Sequence, residues 1–266
     1  MKILFIGDIV GRPGREAVQK ILPNLVKKEE IDFVIANGEN LAHGKGMTEK
    51  TYLEMKEAGI DCFTSGNHIW AKKEFIPYLS DKNIKVLRPA NYPPQAPGRG
   101  YQIFEVGTNK LVVISLMGRV FFPVDLDCPF RKLDEILDEL KESLQPTTYK
   151  LTPIIIDFHA EATSEKRSFG FYAQKRVSAV LCTHTHIPSA DEEILGNQTA
   201  YISDVGMVGP HDSVLGVEKE LIVQKFLDQI LTRHEIAEGE VEFNAVLLEI
   251  DRKGRAKSIK RVREFL

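Results

Sequence analysis

Short apolar runs alternate with helix-length segments along the first eighty residues. Three of the runs predict buried strands, namely KILFIG (residues 2–7), FVIAN (33–37) and DCFTSG (61–66). Between them, Pro13 suits the first turn of a helix that extends to about Lys28, and Thr48 suits the cap of a helix over residues 48–58. A third helix is predicted over residues 72–79. This order predicts parallel strands joined by right-handed crossovers.

The pattern changes after residue 88. The segment Pro89–Gly100 holds four of the thirteen prolines and predicts a long structured loop. Further strands are predicted at residues 101–106, 111–118, 152–159, 177–184, 199–207 and 241–250, and further helices at residues 130–144 and 217–230. No linker or repeat divides the chain, so we expect a single domain over residues 1–266. The simplest architecture that accommodates these elements is an α/β fold of two packed mixed β-sheets flanked by helices.

Composition narrows the class of protein. The 266 residues are 43% hydrophobic, which allows a sizeable core, and a net charge of −3 disfavours a nucleic-acid polymer as partner. The three cysteines, Cys62, Cys128 and Cys182, are far apart, which fits a reducing compartment rather than a disulfide framework. No apolar stretch approaches the ~18 residues of a membrane-spanning helix. We therefore expect a cytoplasmic protein with no membrane partner, and the sequence leaves a homo-oligomer open.

Polar side chains follow five of the predicted strands at the point where each apolar run ends. They are Asp8, Glu39 with Asn40, Asn67 with His68, His159, and His184 with His186. Taken singly, each is typical of a turn or a surface position. Because ligands of α/β sheets lie beyond the carboxyl ends of strands, the whole set predicts one polar site. Its mixture of imidazole nitrogen with carboxylate and amide oxygen suits Fe, Mn, Zn or Co better than Ca or Mg.

The segment Thr183-His184-Thr185-His186 is the most informative part of this set. In an ideal strand, two histidines separated by one residue point to the same face and can reach one ion or two neighbouring ions. A simple zinc site needs three or four protein ligands, whereas this chain offers seven candidates. The number therefore predicts a pair of transition-metal ions, which in such sites lie ~3.5–4 Å apart.

The order Gly-Asp, Glu, Gly-Asn-His, His and Thr-His-Thr-His resembles the calcineurin-like metallophosphoesterases. Longer stretches resemble their YmdB-like bacterial phosphodiesterase branch, and these are ILFIGDIVGRPGR, NGENLAHGKGMTEK, GNHIWAKKE, LRPANYP, DFHAEATSEK, THTHIPSAD and YISDVGMVGP. They run from residue 3 to about residue 210. The chain departs from the broad superfamily pattern at Val10, Glu39, Ile69 and Thr183. The narrower branch shares these changes, and in that branch Asn40 would fill the place that Val10 leaves.

The resemblance implies a four-layer α/β/β/α metallophosphoesterase sandwich and a ligand set for two ions. One ion would be held by Asp8, Glu39, Asn40 and His186. The other would be held by Glu39, Asn67, His159 and His184, so that Glu39 bridges the pair. Fe or Mn is favoured, with Zn or Co left open. The implied substrates are small cyclic nucleotides, above all the 2′,3′-cyclic ones, and His68 matches the proton donor of the branch.

The implied reaction is attack on the phosphodiester by a metal-bridging hydroxide, with His68 giving a proton to the leaving alkoxide. The alternative for His68 is a structural residue packed near Trp70. Asp157, on the same side of its strand as His159, is expected to help orient that imidazole. For the whole protein, the alternatives are a phosphomonoesterase or nucleotidase on the same metal centre, and a non-catalytic regulatory protein that keeps its metal.

Overall fold

The computed structural model describes all 266 residues, and its two mixed β-sheets flanked by helices confirm the predicted fold class. The strands are β1 (Lys2–Ile6), β2 (Asp8–Ile9), β3 (Phe33–Asn37), β4 (Cys62–Thr64), β5 (Tyr101–Val106), β6 (Asn109–Met117), β7 (Ile154–His159), β8 (Ala179–Thr183), β9 (Glu193–Leu195), β10 (Thr199–Ile202), β11 (Met207–Pro210), β12 (Val241–Ile250) and β13 (Ala256–Phe265). The helices are α1 (Gly11–Glu29), α2 (Glu49–Glu57), α3 (Pro129–Ser143), α4 (Pro146–Leu151), α5 (Thr163–Ala173) and α6 (Lys219–Asp228), with a 3-10 helix at Lys73–Ser80.

The first sheet has the strand order β2-β11-β12-β1-β3-β4, and β13 pairs with β12 outside that path. The second sheet has the order β5-β6-β7-β8-β10-β9. Strands β1, β3 and β4 are parallel, as the crossover pattern predicts, and so are β6, β7, β8 and β10. Strand β5 is antiparallel to β6, and the final hairpin pairs β12 with β13.

Three apolar clusters pack these elements into four layers. Phe5 of the first sheet and Ile155 of the second belong to the cluster between the sheets. A second cluster joins the outer face of the first sheet to α1 and α2 and includes Leu22. A third joins the second sheet to α3 and α5 and includes Phe169. Each sheet is therefore covered on both faces, as its long apolar strands require.

Glycine makes one close approach that matters for the polar edge of the first sheet. A Cβ on Gly7 would lie 1.9 Å from the carbonyl oxygen of Gly206, so only glycine lets the chain leave β1 against that loop. The residue that follows, Asp8, then pairs with Met207 of β11. The sequence Gly-Asp after the strand thus fixes where the Asp8 carboxylate lies.

Several local predictions differ from the structure. The strand predicted over residues 199–207 is two strands separated by residues 203–206, with β10 in the second sheet and β11 in the first. The predicted helix over residues 72–79 is a 3-10 helix, and it contains Pro77, which has no N–H to donate to an α-helical bond. Helices α4 and α5 were not predicted. The segment of α5 begins Thr-Ser-Glu-Lys and contains Gly170, so it lacks a strong apolar period, and tertiary packing of Phe169 against Phe158 stabilises it instead.

None of the helices combines the length and the apolar composition that spanning a membrane requires. The single domain over residues 1–266, the cytoplasmic location and the homo-oligomeric state stay predictions.

Candidate metal centre

The structure brings all eight predicted polar residues to one edge of the sandwich. Asp8 begins β2, Glu39 and Asn40 follow β3, and Asn67 and His68 follow β4, all in the first sheet. His159 ends β7, while His184 and His186 follow β8 in the second sheet. The carboxyl ends of strands from both sheets therefore face one another, which is the arrangement that the strand order predicts.

The Nε2 atom of His159 lies at the centre of one group of atoms that could ligate a metal, which we call donor atoms. Its neighbours are Nδ1 of His184 at 3.0 Å, Oδ1 of Asn67 at 3.1 Å and Oε1 of Glu39 at 3.3 Å. The ligand atoms of Glu39, His159 and His184 all lie within 4.8 Å of one another, so these three residues could hold a metal ion.

A second group of donors lies around Asn40. Its Nδ2 atom is 3.4 Å from Oδ1 of Asp8 and 3.1 Å from Nε2 of His186. The same Asp8 oxygen lies 3.8 Å from the His186 nitrogen. Asn40 also connects this group to His68, whose Nδ1 lies 2.7 Å from its Oδ1.

His68 lies in the cluster but differs from the other members in its exposure. Its backbone N–H donates to Oε2 of Glu39 at 3.2 Å, and its Nδ1 lies 3.2 Å from Oε1 of the same carboxylate. The His68 side chain is 27% exposed, whereas that of Glu39 is 1% exposed. Trp70 packs edge-on against Tyr92 at 5.4 Å between ring centroids. His68 thus reaches both the buried donors and solvent.

A buried polar network under His159 fixes the orientation of its ring. Nδ1 of His159 lies 2.9 Å from the hydroxyl of Thr183, which in turn donates to Oδ1 of Asp157 at 2.7 Å. The other Asp157 oxygen accepts bonds from Thr64 and from Asn37. Asp157 therefore acts on His159 through a hydroxyl rather than by direct contact. Asn37 was missed by sequence reasoning, although it ends a strand as the predicted residues do.

His184 and His186 both reach the cluster, but they do not lie in a strand as the strand-alternation argument assumes. Strand β8 ends at Thr183, and both histidines have positive φ, 100° for His184 and 64° for His186. The residue between them, Thr185, donates from its backbone N–H and its hydroxyl to the buried carboxylate of Asp204, at 3.0 and 2.6 Å. A left-handed turn, rather than strand alternation, aims the two imidazoles at the centre.

Two further residues contact His184 from outside the predicted set. Oε2 of Glu161 lies 2.9 Å from its Nε2 atom. The ring of Phe122 lies 4.8 Å from the His184 ring between centroids. Glu161 follows His159 by two residues in the sequence, and nothing in the sequence singled out Phe122.

Electrostatics test whether these residues suit a cation. Asp8 and Glu39 are 0% and 1% exposed, and no lysine or arginine pairs with either carboxylate. Burial raises the pKa of Asp8 well above its usual range, which means that its charge lacks compensation. Two buried carboxylates surrounded by amides and imidazoles are suited to a divalent transition metal, which would supply the missing positive charge.

The histidine pKa values follow from the same crowding. Burial alone would lower the pKa of His159, but Glu39 beside it raises that pKa to about 9. Burial and the neighbouring His159 lower the pKa of His184 to about 3, and burial also lowers that of His186. Burial alone would raise the pKa of Glu39, yet His159 and His68 hold it well below its ordinary value. His184 and His186 are therefore neutral at pH 7, as metal ligation requires.

Two mixed sheets with this donor cluster at their shared edge define a protein of the metallophosphoesterase class. A putative 5′-nucleotidase from Staphylococcus aureus shares the fold, with a TM-score of 0.59 at 16% identity over 100% of this chain and 54% of that chain.

Within that class, the chain belongs to the YmdB-like protein family, whose pattern it matches over residues 4–262. It is 47% identical over 251 residues to a 2′,3′-cyclic-nucleotide 2′-phosphodiesterase of Bacillus subtilis (strain 168), a match that covers 94% of this chain and 92% of that protein. The crystal structure of a novel phosphatase from Mycoplasma pneumoniae is similar with a TM-score of 0.90 at 33% identity, and covers 100% of this chain and 93% of that chain.

Proposed function

We propose that this chain is a dinuclear metal-dependent phosphodiesterase that hydrolyses small cyclic nucleotides, with 2′,3′-cyclic nucleotides favoured. The observation that carries the proposal is the convergence of buried donors around His159 and Asn40. The 47% identity to a protein named for 2′,3′-cyclic-nucleotide hydrolysis supports the substrate class.

The ligands divide between two ions as follows. Asp8, Glu39, Asn40 and His186 would hold one ion, and Glu39, Asn67, His159 and His184 would hold the other. Three atoms with lone pairs that can ligate a metal lie 3.0–3.3 Å from Nε2 of His159, and this close grouping supports the second set. Fe or Mn suits this mixture of nitrogen and oxygen donors, and so does Zn or Co. Bound ions would polarise the phosphodiester and activate a water molecule for in-line attack.

The charge of the ligand set favours a phosphodiester anion. Only Asp8 and Glu39 contribute negative charge, since Asn40, Asn67 and neutral histidines ligate without it. Two divalent ions bring four positive charges, so these two carboxylates leave the centre positive. A positive centre attracts a substrate that carries a single negative charge.

His68 gives a proton to the leaving alkoxide. Its Nδ1 atom lies 2.7 Å from Oδ1 of Asn40 and 3.2 Å from Oε1 of Glu39, so a proton on Nδ1 donates to these oxygens. Nε2 has no partner in the chain, and the imidazolium would release its Nε2 proton to the alkoxide, which leaves a neutral imidazole that keeps the Nδ1 proton. General acid assistance of this kind contributes ~10²–10⁴ in rate.

The test is the variant His68→Ala, with turnover of 2′,3′-cyclic AMP and metal content measured together. We expect metal content unchanged and turnover lowered by ~10²–10⁴. His234→Ala is the matched control, because that histidine is exposed and lies outside the cluster. Unchanged turnover in His68→Ala would contradict the assignment of the proton donor.

Chromogenic phosphomonoesters and phosphodiesters separate the proposal from its enzymatic alternative, since a nucleotidase would prefer the monoester. Metal-loaded protein that hydrolysed neither would be a regulatory protein instead.

A further inference from the structure

The most exposed phenylalanine of the chain directly precedes Phe122, whose ring contacts the metal centre. Phe121 lies in the loop after β6 and is 82% exposed, and its neighbours Val120 and Val124 are 40% and 38% exposed. The adjacent Phe122 packs against His184, so this loop forms one wall of the site. We call residues 119–124 the aromatic lip. Its apolar tip faces solvent beside a cluster of polar ligands, where it contributes nothing to the core.

The lip is held in place from below. The buried carboxylate of Glu165 accepts the backbone N–H groups of Arg119 and Val120, at 2.9 and 3.2 Å. A Cβ on Gly118 would lie 2.4 Å from Oε2 of Glu165, so glycine at this position lets the carboxylate approach. The exposed tip is therefore fixed by buried hydrogen bonds, and the ring of Phe121 is presented from an ordered backbone.

Backbone strain points to the same position. Phe121 has a φ of 68°, in the left-handed region that non-glycine residues rarely adopt. His184 and His186, which both belong to the candidate ligand set, also have positive φ. Strain of this kind persists where the surrounding structure imposes it, and it concentrates at functional sites.

We infer that Phe121 is a stacking platform for the nucleobase of the cyclic nucleotide. The inference rests on the proposed function, because a base reaches the lip only when its phosphodiester lies at the metal centre. Every nucleobase has a π-face, so stacking on phenylalanine tolerates all four bases. The lip thus binds the base without hydrogen bonds that depend on its identity. Purine bases have a larger ring area than pyrimidine bases, so they should stack more strongly on Phe121.

The experiment compares Phe121→Ala and Phe121→Trp with wild type on two substrates. One substrate is 2′,3′-cyclic AMP, and the other is methyl riboside 2,3-cyclic phosphate, which has the same phosphodiester but no base. We expect Phe121→Ala to raise KM for 2′,3′-cyclic AMP by about tenfold with kcat within about twofold, and to leave the base-free substrate unchanged. Phe121→Trp should restore the low KM. Phe226→Ala is the matched control, because Phe226 on α6 is 73% exposed and lies outside the lip.

Four results would overturn the inference. An equal loss on both substrates would make Phe121 a structural residue of the site, and an unchanged KM would remove it from substrate binding. In both cases wild-type activity on the two diesters would leave the proposed function standing. If Phe121→Ala changed the oligomeric state of the protein but left KM unchanged, the lip would be a contact with a second copy of the chain. If wild type hydrolysed neither diester, the proposed function and the stacking platform would fail together.

Discussion

Replacing Lys166 by methionine should destabilise the protein and weaken its metal site together. Lys166 and Asp204 form an ion pair at 2.8 Å with side chains 1% and 4% exposed. Removing one partner of a buried pair typically costs ~3–5 kcal/mol, because the remaining charge is left uncompensated. Asp204 keeps hydrogen bonds from Thr185 and Gly206, so we expect the lower end, ~3 kcal/mol.

The assay is thermal unfolding of the metal-loaded protein. A loss of ~3 kcal/mol corresponds to a fall in Tm of roughly 6–12 °C, at ~2–4 °C per kcal/mol for large domains. Metal affinity should fall by up to ~10–100-fold, because Asp204 without its Lys166 partner would hold Thr185, which lies between His184 and His186, less firmly. Lys141→Met is the matched control, since its pair with Asp138 is 54% and 69% exposed and should contribute little to stability. A Tm change in Lys166→Met no larger than that of the control would refute the reasoning.

Three further predictions concern the centre itself. Thr183→Val removes the hydroxyl between His159 and Asp157, so urea unfolding should show a loss of ~1–3 kcal/mol that Thr183→Ser largely recovers; equal losses in both variants would contradict this. Asn67→Asp adds a negative charge 3.1 Å from His159, so steady-state turnover of a diester should fall while metal content is kept; unchanged turnover would argue against Asn67 as a ligand. His159 must lose its proton to ligate metal, and its pKa is about 9. Metal affinity measured by calorimetry should therefore rise with pH up to about pH 9, and an affinity independent of pH would count against His159 as a ligand.

The sequence predicts the fold well where apolar periodicity is strong. The buried strands around residues 2–6, 33–37 and 154–159 read as continuous apolar runs because both faces of each sheet are covered. Helix α5 could not be predicted in the same way, since Gly170 interrupts it and packing, rather than propensity, holds it.

The same distinction applies to the candidate site, where the sequence shows residues at strand ends but not residues that the tertiary fold brings in. Asp8, Asn67 and His159 are visible because each follows an apolar run, and the ends of parallel strands meet at one edge. The way in which His184 and His186 reach the centre was not visible, because it depends on a left-handed turn held by Asp204, which is 20 residues away from His184 in the sequence. Phe122 contacts His184 only through the tertiary fold, and no local pattern marks such a residue.

The central claim is that donors from five strand ends hold a pair of ions, and metal content tests it most directly. Elemental analysis of protein purified without added metal should give two transition-metal ions per chain. Glu39→Gln should lose at least one of them, because Glu39 is the ligand that we propose both ions share. Metal-free wild-type protein, or a Glu39→Gln variant that keeps both ions, would contradict the account.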